Sequence, residues 1–162
     1  MSSGEALEGG CFCGAIRYRL TRPPLFVHGC HCRDCQVQTG GPFAVNALIE
    51  RSCVELVSGE PVRTEMATDS GKPHDIWRCP DCQTALWSDY GRREVLVFIR
   101  AMTLDNPAAC APDVHIFTRS KVPFIDLPAD ARVFDVFYSM DAEWPAEALT
   151  RFDALGTRRL GV

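Results

Sequence analysis

The hydrophobic residues of this chain fall in short runs separated by polar turns, and this pattern predicts a sheet protein. The runs are rich in β-branched and aromatic residues and are bounded by Gly, Pro, Asp or Ser, as strands usually are. The predicted strands are AIRYRL (15–20), FAVNALI (43–49), VELVSG (54–59), REVLVFIRA (93–101) and VHIFTR (114–119). No long amphipathic helix interrupts them.

Helix signals are few. A short turn or helical segment is predicted around residues 36–41, and PAEALTRFDAL (145–155) begins with a proline that suits a first helical turn. Neither an internal repeat nor a flexible linker divides the chain. With 162 residues, of which 46% are hydrophobic, it is predicted to form a single domain with its own core.

Charge and hydropathy exclude two classes of partner. The net charge of −4 gives no overall basic field, so we expect no nucleic-acid partner. The longest apolar run, VLVFI (95–99), is too short to cross a bilayer, and the first residues have no signal-peptide pattern. We therefore expect a soluble cytoplasmic protein without a membrane partner.

Cysteine is the residue type that points to chemistry. In a reducing compartment the nine cysteines favour metal binding over a disulfide framework. Seven of them form three clusters, which are Cys11 and Cys13; Cys30, Cys32 and Cys35; and Cys79 and Cys82. The remaining two, Cys53 and Cys110, are expected to be small buried hydrophobic residues.

Two tetrahedral zinc ions could share the seven clustered thiols, and one of the two sites would then keep an open position. An open position is typical of a catalytic zinc rather than a structural one. Cys79 and Cys82 form a C-x-x-C knuckle, which suits a closed structural site. Two alternatives stay open. The knuckle could be a redox motif, or His28 or His31 could fill the fourth position of a closed site. His31 is expected to point away from the metal, and His74 and His115 are not expected to be ligands.

Four segments together resemble the glutathione-dependent formaldehyde-activating enzyme family, whose domain also occurs in centromere protein V. They are GGCFCGAIRY, CHCRDCQVQTGGPF, CPDCQTALWS and HIFTRSKVPF, and the resemblance covers roughly residues 9–127. It implies a mainly β fold of several short, coiled antiparallel sheets around zinc, a β-tent, with little helix. We accordingly predict a flexible N-terminus (1–8), the zinc-binding domain (9–130) and a C-terminal extension packed on it (131–162).

The resemblance also implies the role of each cysteine. Cys11, Cys13, Cys79 and Cys82 would bind a structural zinc, and Cys30, Cys32 and Cys35 a catalytic one, giving two zinc ions per chain. Two positions depart from the family pattern without removing a ligand: Gln83 replaces a usual glycine, and Phe124 a common tryptophan.

The activity implied is that of a carbon–sulfur lyase, which joins formaldehyde and glutathione to S-hydroxymethylglutathione or runs the reverse. The expected partner is a small thiol or its adduct. Because glutathione is anionic, its pocket needs cationic or backbone N–H contacts, and the cationic candidates are Arg33, Arg78, Arg119 and Lys121.

Two other functions remain alternatives, a zinc-stabilised binding module without catalysis and a thiol oxidoreductase. A nucleic-acid module is disfavoured further, because seven thiolates and two zinc ions would take the net charge from −4 to −7.

Overall fold

Two β-sheets form the framework of the protein. The structure, a computed structural model, describes residues 6–161. The strands are β1 Leu7–Gly10, β2 Arg17–Leu20, β3 Phe26–Cys30, β4 Ala44–Glu50, β5 Val54–Ser58, β6 Val62–Met66, β7 His74–Arg78, β8 Ala85–Tyr90, β9 Leu96–Arg100 and β10 Val114–Ile116. One sheet has the order β1-β2-β5 and the other the order β10-β3-β4-β9-β8-β7-β6.

Helices are short, as predicted. They are α1 Arg33–Thr39, α2 Met140–Glu143 and α3 Ala146–Asp153, with 3-10 turns at Arg51–Cys53, Ala101–Thr103, Pro107–Cys110 and Thr118–Ser120. The mainly β fold class is therefore confirmed. In the part of the chain that the structure covers, no helix has the length and apolar character needed to cross a membrane.

One strand pair departs from the expected antiparallel pattern. β10 pairs with β3 in parallel, with Val114 opposite His28 and Ile116 opposite Cys30. A parallel partner requires a long crossover connection, and β10 follows β3 only after six intervening strands. The pairing fixes the backbone at Cys30, where the three-cysteine cluster begins.

Two hydrophobic cores lie on opposite faces of the seven-stranded sheet, because successive side chains of a strand point to opposite faces. Ala47 and Ile49 of β4 belong to the first core, which also contains Tyr18 of the small sheet. Ala44 and Leu48 belong to the second core. The second core also receives Cys30 and Cys35, so the three-cysteine cluster lies on this side of the sheet.

The C-terminal residues cover the second face of the large sheet. The Trp144 ring stacks on Phe26 of β3 with 5.1 Å between ring centroids, and Phe152 of α3 is fully buried beside it. α3 is also joined to β4 by an ion pair between Arg151 and Glu50, 2.6 Å long, in which both side chains are about nine-tenths buried.

The structure contains strands that the pattern did not predict, namely β1, β3, β6, β7 and β8. β1 ends in two glycines because the backbone is crowded there; a Cβ on Gly9 would lie 2.6 Å from the Tyr18 hydroxyl. Residues 1–5 of the predicted flexible segment lie outside the described residues, whereas Leu7 and Glu8 belong to β1. The predicted helix 145–155 corresponds to α3.

Candidate metal centre

Four cysteine sulfurs from distant parts of the chain meet at one point. Those of Cys11, Cys13, Cys79 and Cys82 all lie within 4.8 Å of one another. The Cys11–Cys13 sulfur distance is 3.5 Å and the Cys13–Cys79 distance 3.7 Å. A tetrahedral zinc with bonds of about 2.3 Å separates its sulfurs by about 3.8 Å, so the spacing fits such an ion.

Tight turns aim these sulfurs at their common centre. The loop after β7 closes with a hydrogen bond from the Gln83 N–H to the Cys79 carbonyl, 3.0 Å long. Gln83 has φ of 61°, in the left-handed region that favours glycine. A glycine, which the family resemblance implies at this position, would adopt this conformation freely; in this chain the Gln83 amide donates to the Pro80 carbonyl at 2.8 Å across the same turn.

The second cluster is built where β3 passes into α1. Cys30 ends the strand, Cys32 is the N-cap of the helix and Cys35 lies in its first turn. The three sulfurs lie within 4.8 Å of one another, and those of Cys30 and Cys32 are 3.5 Å apart. This spacing also fits tetrahedral thiolate ligation of one metal ion.

Hydrogen bonds fix the loop that carries this cluster. The Gln36 amide donates to the His31 carbonyl and to the Ser120 carbonyl, both at 2.9 Å. The Ser120 hydroxyl donates to the same His31 carbonyl at 2.9 Å. The segment around Ser120, which the sequence analysis singled out, therefore supports the backbone between Cys30 and Cys32.

The histidines near the three-cysteine cluster form hydrogen bonds with other side chains and do not contribute nitrogens to the sulfur group. His28 Nε2 lies 2.5 Å from the Tyr138 hydroxyl, and burial lowers the pKa of His28 to about 3. His31 Nε2 lies 3.0 Å from His115 Nδ1. Across residues 6–161, no histidine nitrogen belongs to either sulfur group. The alternative in which His28 or His31 closes the second site therefore finds no geometric support.

An arginine lies on the same side of the sheet as the three-cysteine cluster. Arg100 ends β9, and its guanidinium donates to Asn46 Oδ1 at 2.6 Å and to Gln38 Oε1 of α1 at 3.1 Å. Hydrogen bonds from the Cys30 and Cys32 thiols hold the pKa of Cys35 well below its ordinary value, and the charge of Arg100 lowers it further.

Comparison with known proteins gives the family. The sequence profile described as "Glutathione-dependent formaldehyde-activating enzyme" matches residues 6–120, which is more than half of the chain. The chain belongs to this family. Its relatives include a Halomonas elongata protein named "Putative glutathione-dependent formaldehyde-activating enzyme", 28% identical over 161 residues, covering 96% of this chain and 97% of that protein. A Rhodobacter sphaeroides crystal structure is 17% identical, with a TM-score of 0.45 over 60% of this chain and 87% of that one.

The cysteines come together in the same two groups that the sequence resemblance implied. The structure gathers all seven predicted ligands into two groups that could hold metal ions, with four in one and three in the other. Cys53 and Cys110 lie outside both groups and are 9% and 2% exposed, which confirms that they are buried.

The four predicted cationic contacts differ in their surroundings. Arg33 and Arg119 are both exposed. Arg33 lies on α1 and donates to Gln36 Oε1. Arg78 is half-buried, and burial together with the charge of Arg100 lowers its pKa. Lys121 is half-buried and donates to backbone carbonyls of its own loop. Arg100 is not among the residues predicted from the sequence, in which it is a single arginine directly after the apolar run VLVFI.

A separate cavity does not contribute to this site. It has a volume of about 230 Å³ and is lined by Asp75 and Trp77 of β7 together with arginines and acids. Asp75 accepts from Arg63 and Arg92 at 3.0 Å, so these charges are already paired. No cysteine lines the cavity.

Proposed function

We propose that this chain is a zinc-dependent carbon–sulfur lyase that acts on a glutathione adduct such as S-hydroxymethylglutathione, or on the adduct of another small thiol. The observation that carries the proposal is the cluster of Cys30, Cys32 and Cys35. Its three sulfurs can converge on one ion, and no further Cys, His, Asp or Glu among residues 6–161 joins them. Three protein ligands with a free fourth position are the arrangement of catalytic zinc sites.

The two sulfur groups would then have separate tasks. Cys11, Cys13, Cys79 and Cys82 would hold a structural zinc with all four positions filled. This ion would link the turn after β1 to the turn after β7 and contribute to folding. Two zinc ions per chain are therefore expected.

The reaction needs a thiol and an aldehyde to be brought together. The thiol sulfur adds to the carbonyl carbon, and the proton released from sulfur goes to the carbonyl oxygen; cleavage reverses both changes. A bound zinc ion would supply Lewis acidity or stabilise a thiolate at its open position. The chain itself would hold the two partners close together.

An anionic thiol such as glutathione needs cationic side chains or backbone N–H groups at its binding site. We assign Arg33, Arg78, Arg119 and Lys121 as candidate contacts for the carboxylates of glutathione. Arg78 and Lys121 are half-buried, whereas Arg33 and Arg119 are exposed. The half-buried Phe43 ring packs against the buried ring of His31, the neighbour of Cys30 in sequence, with 4.8 Å between centroids.

Turnover with metal analysis tests the proposal. Magnetisation-exchange NMR would measure the exchange of formaldehyde between its hydrated form and S-hydroxymethylglutathione, with and without protein. The wild-type protein should accelerate this exchange, and Cys32→Ser should lose both the acceleration and one zinc ion. Cys53→Ser, a buried cysteine outside both groups, is the matched control and should retain both.

A protein that contains two zinc ions but accelerates exchange with no small thiol would contradict the lyase. Such a result would favour the alternative of a zinc-stabilised binding module.

A further inference from the structure

Arg100 is a buried cation without a carboxylate partner among the residues that the structure describes. Only 6% of its surface is exposed. Its guanidinium donates to the neutral amides of Asn46 and Gln38, and its Nε is buried without a hydrogen-bond partner. Burying a cation is costly unless an anion lies close to it, so the site must supply negative charge from another source.

The residues that hold this cation lie on elements next to the three-cysteine cluster. Arg100 lies directly opposite Asn46 of β4. Ala44, two residues before Asn46 on the same strand, lies directly opposite Cys30. Gln38 is on α1, one helical turn after Cys35. Both amides that hold the guanidinium therefore belong to elements next to the cluster's sulfurs.

The charge of a metal-loaded cluster matches what Arg100 lacks. Three thiolates around one divalent ion leave a net charge of −1, and an added thiolate at the open position makes it −2. Arg100 supplies +1 on the same side of the sheet. A second arginine, Arg33 of α1, is exposed to water, which screens its charge.

We propose that Arg100 is the counter-ion of the cluster formed by Cys30, Cys32 and Cys35. Its buried charge stabilises the thiolates there and favours an anionic sulfur, rather than a neutral ligand, at the open position. Arg100 is thus a positioning residue that acts through the cysteines. The inference rests on the proposed function in one respect, namely that this cluster is a metal–thiolate site.

A stability cycle tests the pairing without using turnover. Arg100→Met, which keeps the length of the side chain and removes its charge, is made in the wild-type chain and in a Cys30/Cys32/Cys35→Ser chain. In the wild type the change should lower the melting temperature. In the serine chain it should raise it, because Arg100 there has lost its anion. An equal decrease in both chains would show that Arg100 only packs, and would overturn the proposal.

Zinc affinity in the cysteine-containing chain gives an independent answer, even if the serine chain does not fold. Competition with a chromophoric chelator should show that Arg100→Met weakens zinc binding at this cluster about tenfold or more, the usual effect of losing a supporting partner of a ligand. Arg100→Lys, which keeps the charge, should remain within a few fold of wild type. Arg33→Met, which removes an exposed charge beside Cys32, should do the same.

The outcomes separate this inference from the proposed function. If Arg100→Met and Arg100→Lys weaken zinc binding equally, or neither does, the counter-ion role is wrong although the lyase could stand. If the wild-type chain binds one zinc ion and accelerates no thiol exchange, the proposed function fails, and with it the metal–thiolate site on which this inference rests.

Discussion

The two sulfur groups should differ in how much they stabilise the fold, because they close chain loops of very different length. Cys13 and Cys79 are 66 residues apart, whereas Cys30 and Cys35 are five positions apart. Loop-closure entropy grows with the logarithm of loop length, which makes the longer link worth about 2 kcal/mol more. For a chain of this size, that corresponds to a melting temperature about 4–8 °C lower when the longer link is lost.

Three buried cysteines allow a matched comparison. Cys79, Cys30 and Cys110 are 0%, 5% and 2% exposed, so serine at each position carries a similar burial cost. Cys79→Ser should melt about 4–8 °C below Cys30→Ser, each with one zinc ion lost. Cys110→Ser should keep both ions. The assay is thermal unfolding by circular dichroism with zinc analysis of the same samples. A Cys30→Ser chain that melts as low as Cys79→Ser would refute the loop argument and make the three-cysteine cluster equally structural.

Three further predictions concern the surrounding fold. Burial lowers the pKa of His74 to about 4, so the folded chain resists protonation of this side chain. The free energy of unfolding should therefore fall as the pH drops from about 6.5 towards 4. In a pH series of urea unfolding curves, His74→Leu should make that fall smaller. Arg151→Met should cost about 3 kcal/mol of unfolding free energy, because, among the residues that the structure describes, buried Glu50 then keeps only the exposed Arg22, 3.9 Å away, as a cationic partner. Adding Glu50→Gln should recover part of this loss. Gly29→Ala should cost about 1–3 kcal/mol of unfolding free energy in the same assay, because its Cβ would lie 2.5 Å from the His115 ring. Adding His115→Ala should relieve this clash. If the stability losses of the two substitutions simply add, the clash is not the cause.

The strands that the sequence predicted are those whose own residues show an apolar or β-branched run. FAVNALI at 43–49 and REVLVFIRA at 93–101 contain the central strands β4 and β9. β3 and β7 were missed because they carry polar residues, such as His28 and Asp75. The partners of these residues lie on other elements: Tyr138 is 110 residues from His28, and Arg63 of β6 donates to Asp75 of β7. Local patterns do not contain that information.

The cysteines of the site could be predicted from the sequence, but its buried arginine could not. Cysteine spacing is a local signal, and it identified all seven sulfurs that the structure gathers into two groups. Arg100 could not be found in this way, because its importance depends on the register that places it opposite Asn46 and on the helix that brings Gln38 to it. Its partners are 54 and 62 residues away in sequence.

The central claim is that the chain holds one closed and one open zinc site, and zinc-edge X-ray absorption on the purified protein with metal analysis tests it most directly. Four sulfurs in one group and three in the other predict two zinc ions per chain with an average of about 3.5 sulfur ligands each, the remainder being a lighter atom. A single zinc ion with four sulfur ligands would contradict the account, and so would two zinc ions that each have four protein ligands.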